Sequence, residues 1–274
     1  MENKGLTFDN LINELKSNSK QVQVGSYTFK ELSHKQQRKI LNGSFDAVEI
    51  PAKLANIYSD YLSESVYKND DLVDLSRIIT LETKPYFINV LRMVSFGNKY
   101  YSKGEEYELY TVTAEDLEPK AKPHTIIANK FKINLEVPTI FDDGRYNNLL
   151  SNALAPHKKK KSIQDVNAGS VTDLYQIYEL LKYIVSFEFN GQVYRLGQYS
   201  IQDRIKFLNN LSPITIDEIK TYIKDTVKKA EQTALAATNV TTGDKIIADI
   251  NSLFFSTTTR KDDSIEEDEE DEED

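Results

Sequence analysis

The stretch KPYFINVLRMVSFGNKY, residues 84–100, constrains the fold more than any other. It is the most apolar run in an otherwise polar chain, and its polar residues Asn89, Arg92 and Ser95 recur every three positions. That period belongs to a helix, and a helix with so thin a polar stripe must bury most of its circumference. Thr83 is placed to cap its start, Pro85 falls in its first turn, and Gly97 sits where a left-handed residue ends a helix. The segment is either the centre of a fold or a helix that meets a partner. Its caps, and its place between N-terminal helices and a strand at 130–137, favour the centre. Asn89, Arg92 and Ser95 then mark its one wet or hydrogen-bonding side.

The rest of the chain is punctuated around this helix. Phe8, Leu11, Ile12 and Leu15 recur at helical spacing. Val22 and Val24, then Tyr27 and Phe29, alternate around Gly25-Ser26 as a hairpin would. Ser33 with Gln36 reads as a capping box for a helix ending near Gly43, and a longer helical face runs from Ile50 to Leu62. Asp70 or Asp71 could cap a helix through Ile79. Strands are expected at 107–112 and at 130–137, where Phe131, Ile133, Leu135 and Val137 alternate with polar residues. Residues 156–170, PHKKKKSIQDVNAGS, read as a basic linker or loop. A helical face over 174–185 follows, then a hairpin at Asn190-Gly191 and a helix capped by Ser200. Thr215 to Glu218 forms a T-x-x-E capping box for a long helix reaching about Ala237, and 245–255 fits either helix or strand.

These patterns predict an α+β protein, mostly helical, with a small antiparallel sheet and hairpins. An N-terminal α+β region (1–155, core helix 84–97) leads through the basic segment 156–170. A mainly helical region (171–256, hairpin near 187–195) follows, and a disordered acidic tail (257–274) closes the chain.

Composition narrows the function classes. Of 274 residues, 28% are charged and 39% hydrophobic, which suits a folded domain with a sizeable core. No run is long enough to span a membrane, and the opening MENKGLTFDN lacks the pattern of a signal peptide. Without cysteine there is no disulfide, thiolate nucleophile or cysteine-ligated zinc. The net charge of −9 is localised: of 43 acids, eleven lie in the last fourteen residues, leaving 32 against 33 Lys and Arg in residues 1–260. A body so nearly neutral argues against nucleic acid as a partner, because counterion release needs clustered Lys and Arg.

No standard catalytic or phosphate-binding motif is present. His34, His124 and His157 each lie away from a plausible ligand or nucleophile in sequence, and Asp142-Asp143-Gly144 reads as a turn. Asn239-Val240-Thr241 matches a glycosylation sequon, which matters only in a secreted protein. The reading is therefore of a non-enzymatic protein with no metal, cofactor or small-molecule substrate. Its partner-binding candidates are Leu253, Phe254 and Phe255 with the acids Glu266, Glu267, Asp268, Glu269 and Glu270. The three apolar residues are otherwise a last core anchor, and the acids a solubilising end. Lys158, Lys159, Lys160 and Lys161 could make a basic contact or form a solvated loop.

The order of several segments adds a resemblance. VQVGSYTFKELSHKQQRKIL, KPYFINVLRMVSFGNKY and KFKINLEVPTI stand in the first half of the chain. IYELLKYIVSFEFNGQVYRLGQYSIQDRIKFLNNLSPITIDEIKTYI and INSLFF follow in the second. Together they resemble, in order, the baseplate hub subunits and hub assembly proteins of T-even-type contractile-tailed phages. The resemblance covers most of residues 20–255 and rests on colinearity, since no segment is a catalytic signature. Where many members carry a Cys-x-Cys-Gly-like element, this chain reads ATNVTTGDK. The resemblance implies a tail morphogenesis protein that binds other tail or baseplate hub proteins in the host cytoplasm. Such a protein is an assembly factor or chaperone, or else a hub subunit retained in the virion. A regulatory or nucleic-acid-mimicking role for the acidic tail is the alternative from a different class.

Overall fold

The computed structural model describes residues 19–47, 51–69, 74–158, 168–250 and 253–254. The apolar run forms helix α3 (Lys84–Phe96), numbered after α1 (His34–Ala47) and α2 (Pro51–Ser65). Helix α3 lies in the core: Phe87, Ile88 and Leu91 are buried completely or nearly so. Pro85 occupies its first turn, and Gly97 closes it at φ +83°, donating its N–H to the Met93 carbonyl at 2.8 Å. Thr83 stands at the N-cap position without capping; its hydroxyl lies 3.4 Å from that of Thr80.

A three-stranded antiparallel sheet covers one side of α3. Its strands are β1 (Gln21–Val24), β2 (Tyr27–Lys30) and β3 (Val66–Lys68), in that order. Tyr27 meets Phe87 edge-on at 4.9 Å, and Phe29 lies 5.7 Å from the same ring. The β1–β2 turn places Gly25 at φ +60°, where a Cβ would stand 2.9 Å from the Cβ of Ala114. Gly25→Ala therefore meets both a strained backbone and a clash. It is expected to cost about 1–3 kcal/mol in urea unfolding; an unchanged midpoint would refute this packing.

Two four-stranded antiparallel sheets complete the strands. One has the order β11–β10–β5–β4, from β4 (Lys99–Ser102), β5 (Glu105–Leu109), β10 (Ala236–Asn239) and β11 (Lys245–Ile247). The other runs β6–β7–β8–β9, from β6 (His124–Ala128), β7 (Phe131–Leu135), β8 (Ile184–Phe189) and β9 (Gln192–Arg195). Both take strands from before and after residues 156–170, and so does the main cluster of buried apolar residues.

The expectation of a mostly helical fold with a small sheet is thus corrected. The chain is α+β, with eleven strands in three antiparallel sheets among the described residues. Three of the unforeseen strands are short: β3 is VYK, β4 is KYYS and β11 is KII. They have little apolar alternation because they lie at sheet edges, where pairing follows from turn geometry more than from burial.

Helix boundaries shift for local reasons. Asp142-Asp143-Gly144 is no turn but the first part of α4 (Ile140–Lys158), where the Thr139 hydroxyl accepts the Asp142 N–H at 3.2 Å. Helix α5 is Ala168–Leu181, and α6 (Ile201–Asn209) is capped by Ser200 as expected. Helix α7 (Pro213–Ile223) starts before the expected box: Ser212 accepts from the Thr215 N–H, and Pro213 takes the first helical position. A π turn (Lys224–Lys228) joins α7 to α8 (Lys229–Ala234), and the chain then turns into β10 instead of continuing to Ala237. Of the helix expected from Asp70 or Asp71 through Ile79, residues 70–73 lie outside the described residues, and the described part holds a 3-10 turn at Leu75–Arg77. The helix expected over residues 8–15 lies outside the described residues.

Candidate binding surface

The polar stripe on α3 is not its wet side. Asn89 and Arg92 are 0% and 2% exposed, and each binds distant backbone. The Asn89 amide donates to the carbonyls of Tyr110 (2.9 Å) and Ala234 (2.7 Å). Arg92 donates through Nε to Leu253 (2.7 Å) and through its two Nη atoms to Gly97 and Lys99. The Ser95 hydroxyl accepts the Leu32 N–H at 3.0 Å. The stripe therefore ties segments from across the sequence to one helix. Burial pushes the Arg92 guanidinium down to about 10, so it stays charged at neutral pH. Lysine offers a point charge in place of the planar fork. Arg92→Lys is expected to lose about 2–3 kcal/mol of stability in chemical denaturation; a loss below the error of the fit would refute the clamp.

A second polar group fastens helices. Lys182 Nζ lies 2.9 Å from Asp143 Oδ1 and 2.6 Å from Glu179 Oε2, with Lys182 and Asp143 both buried. Lys84, at the start of α3, donates to the Ala55 carbonyl (3.0 Å) and the Ser59 hydroxyl (3.2 Å). Burial alone would raise Asp143, yet the Lys182 and Lys84 cations hold it below the usual carboxylate range. Burial would lower Lys182, and Asp143 with Glu179 lifts it above the usual lysine range. For Lys84 burial dominates and the shift is downward. Neither Asp143 nor Lys182 is poised to exchange a proton near pH 7, as general acid–base chemistry would require. The group acts as a structural ion pair, and Glu82 and Asp116 likewise serve backbone. Glu82 accepts the Ala121 N–H at 2.9 Å, and Asp116 closes a capping box with Thr113.

Apolar surface is offered elsewhere, at one end of the β6–β9 sheet. Both of its hairpin turns lie at that end, with left-handed Asn129 in one and Asn190-Gly191 in the other. On the outer face Ile127, Lys132, Glu188 and Val193 stand side by side in register. Ile127 is 75% exposed and Val193 58%, flanking the Lys132–Glu188 ion pair at 3.1 Å. The inner face carries an aromatic stack: Phe131 on Phe189 at 4.7 Å, and Phe187 between Tyr194 (4.9 Å) and Phe207 of α6 (4.6 Å). Phe131 is 37% exposed. Apolar side chains exposed on both faces of a sheet tip are what a docking element presents. Sequence reasoning missed this surface because β6, following Pro123, has adjacent isoleucines and no clean alternation.

The residues singled out from sequence fall differently. Leu253 and Phe254 are 0% and 5% exposed; Phe254 packs on Tyr58 (5.5 Å) and Phe96 (6.0 Å). These two side chains occupy the core as a last anchor, not a docking surface. Phe255, Glu266, Glu267, Asp268, Glu269, Glu270, Lys159, Lys160 and Lys161 lie outside the described residues, and of Lys158 only the helical backbone is described. His124 stacks on Tyr222 at 5.8 Å. Asn239, the sequon asparagine, is buried: its side-chain amide donates to Glu105 at 2.8 Å, and its oxygen accepts the N–H groups of Thr241 and Thr242.

No family model, curated protein or solved structure matches this chain. Among the described residues, no helix is long and apolar enough to cross a membrane.

Proposed function

We propose that this chain acts in phage tail morphogenesis, as a baseplate hub assembly factor that binds other tail or hub proteins in the host cytoplasm and makes or breaks no covalent bond. The observation that carries this reading is the colinear run of hub-like segments over residues 20–255. The exposed tip of the β6–β9 sheet supports it, since Ile127, Phe131 and Val193 offer apolar area for a partner to cover. The buried charges support it too, being committed to backbone and to one another.

The full chain, tagged and captured from infected cells, is expected to bring down identified hub or tail proteins. Mass spectrometry of purified virions is expected to find the chain absent. Its presence there would make it a structural hub subunit instead. Recovery of no tail protein would remove the binding role.

A further inference from the structure

A cleft of about 480 Å³ opens between α4, the start of β8 and α6. Its lining includes the apolar Val137, Leu149, Ile184 and Ile201 and the basic Arg145, Arg204 and Lys182, the last already paired with Asp143 and Glu179. Arg204 is fixed by three bonds, to the carbonyls of Tyr199 and Gly197 and to the Tyr146 hydroxyl. A guanidinium has five N–H donors, so two remain. Arg145 is largely exposed, and its ion pair with Asp142 is loose at 4.0 Å. The acids of the lining are Glu136 and Asp142, and Asp142 also accepts from the Thr139 hydroxyl at 2.9 Å.

The chain itself contains a segment of matching chemistry. Between residues 255 and 274 the only apolar side chains are Phe255 and Ile265, and Ile265 is flanked by Asp262, Asp263, Glu266 and Glu267. We infer that the acidic tail docks in this cleft in cis, with Ile265 against its apolar lining residues and its neighbouring carboxylates on Arg145 and Arg204. The reach suffices. Ile265 follows Phe254 by eleven residues, about 36 Å of extended chain. Phe254 is anchored against Tyr58 of α2. Helix α2 adjoins α4 where Asn147 Nδ2 lies 3.4 Å from Asn56 Oδ1, and the cleft lies on another flank of α4. Two helix spacings amount to about 20 Å. Docking would keep eleven acids of the tail close to the body and release them when a partner competes for the cleft.

The absence of cysteine allows a direct test in the full chain. Nitroxide labels at Gln202→Cys, exposed on α6 beside the cleft, and at Ser264→Cys report their separation by pulsed EPR. A single short, narrow population is expected. It should broaden with Arg145→Glu, with Ile265→Ser and in high salt, which screens rim charges. A distribution that is broad from the start overturns the inference. So does a narrow one indifferent to both substitutions. A short population that disappears on dilution with unlabelled chain would place the tail on a second copy and overturn docking in cis.

Discussion

Asp143→Asn is expected to destabilise the protein by about 3–5 kcal/mol, because removing one partner of a buried ion pair leaves the other charge uncompensated. The amide would keep the shape of the carboxylate and lose the charge facing Lys182 at 2.9 Å and, through space, Lys84. Lys84 sits on α3, Asp143 on α4 and Lys182 in the turn just after α5, so the loss would be felt by all three helices. The pH dependence has a definite sign. Asp143 has a folded pKa below its unfolded value, near 3.9. Its stabilisation is present above that value and is lost as pH falls through the folded pKa. Lys182 has a folded pKa above its unfolded value, near 10.4; its stabilisation is complete below that value and disappears as pH rises through the folded pKa. The gap between parent and variant should therefore be widest near neutrality and narrow at both extremes. Asp143→Leu combined with Lys182→Met should recover much of the loss, since apolar replacement of a whole buried pair is often neutral. A deficit for Asp143→Asn below ~1 kcal/mol at pH 7 would mean that water reaches the pair.

Phe87→Asp is expected to abolish folding. Phe87 is fully buried, and its ring meets both Tyr27 and Phe29. An unpaired carboxylate there costs several kcal/mol or must take up a proton, and the cavity left by the ring adds to the cost. Domains of ordinary stability have about 5–15 kcal/mol in total. Circular dichroism and soluble yield are the readouts. A soluble, cooperatively folded Phe87→Asp protein that merely fails to bind would move α3 from the core to an interface.

How far the fold is legible in the sequence depends on how local each feature is. Helix α3 and its end at Gly97, the hairpins at Gly25-Ser26 and Asn190-Gly191, and the cap at Ser200 all rest on residues within a few positions of one another. They are readable for that reason. What escapes is non-local. Asn89 and Ala234 are 145 residues apart, and Arg92 and Leu253 are 161 apart. A polar stripe looks the same in sequence whether water or a distant carbonyl satisfies it. Asp143 resembles a turn residue because its Asp-Asp-Gly setting outweighs the Thr139 cap four positions earlier. The exposed sheet tip is invisible because exposure of Ile127 and Val193 follows from strand order, and strand order is not encoded in any one segment.

Tail assembly is the most direct measure of the proposed role. In a contractile-tailed phage that encodes this chain, deleting the gene and counting complete tails by electron microscopy should show them largely missing. Supplying the full chain in trans should restore them. A chain carrying Ile127→Lys and Val193→Lys at the sheet tip should fold and fail to restore them. Normal tails in the deletion would contradict the account.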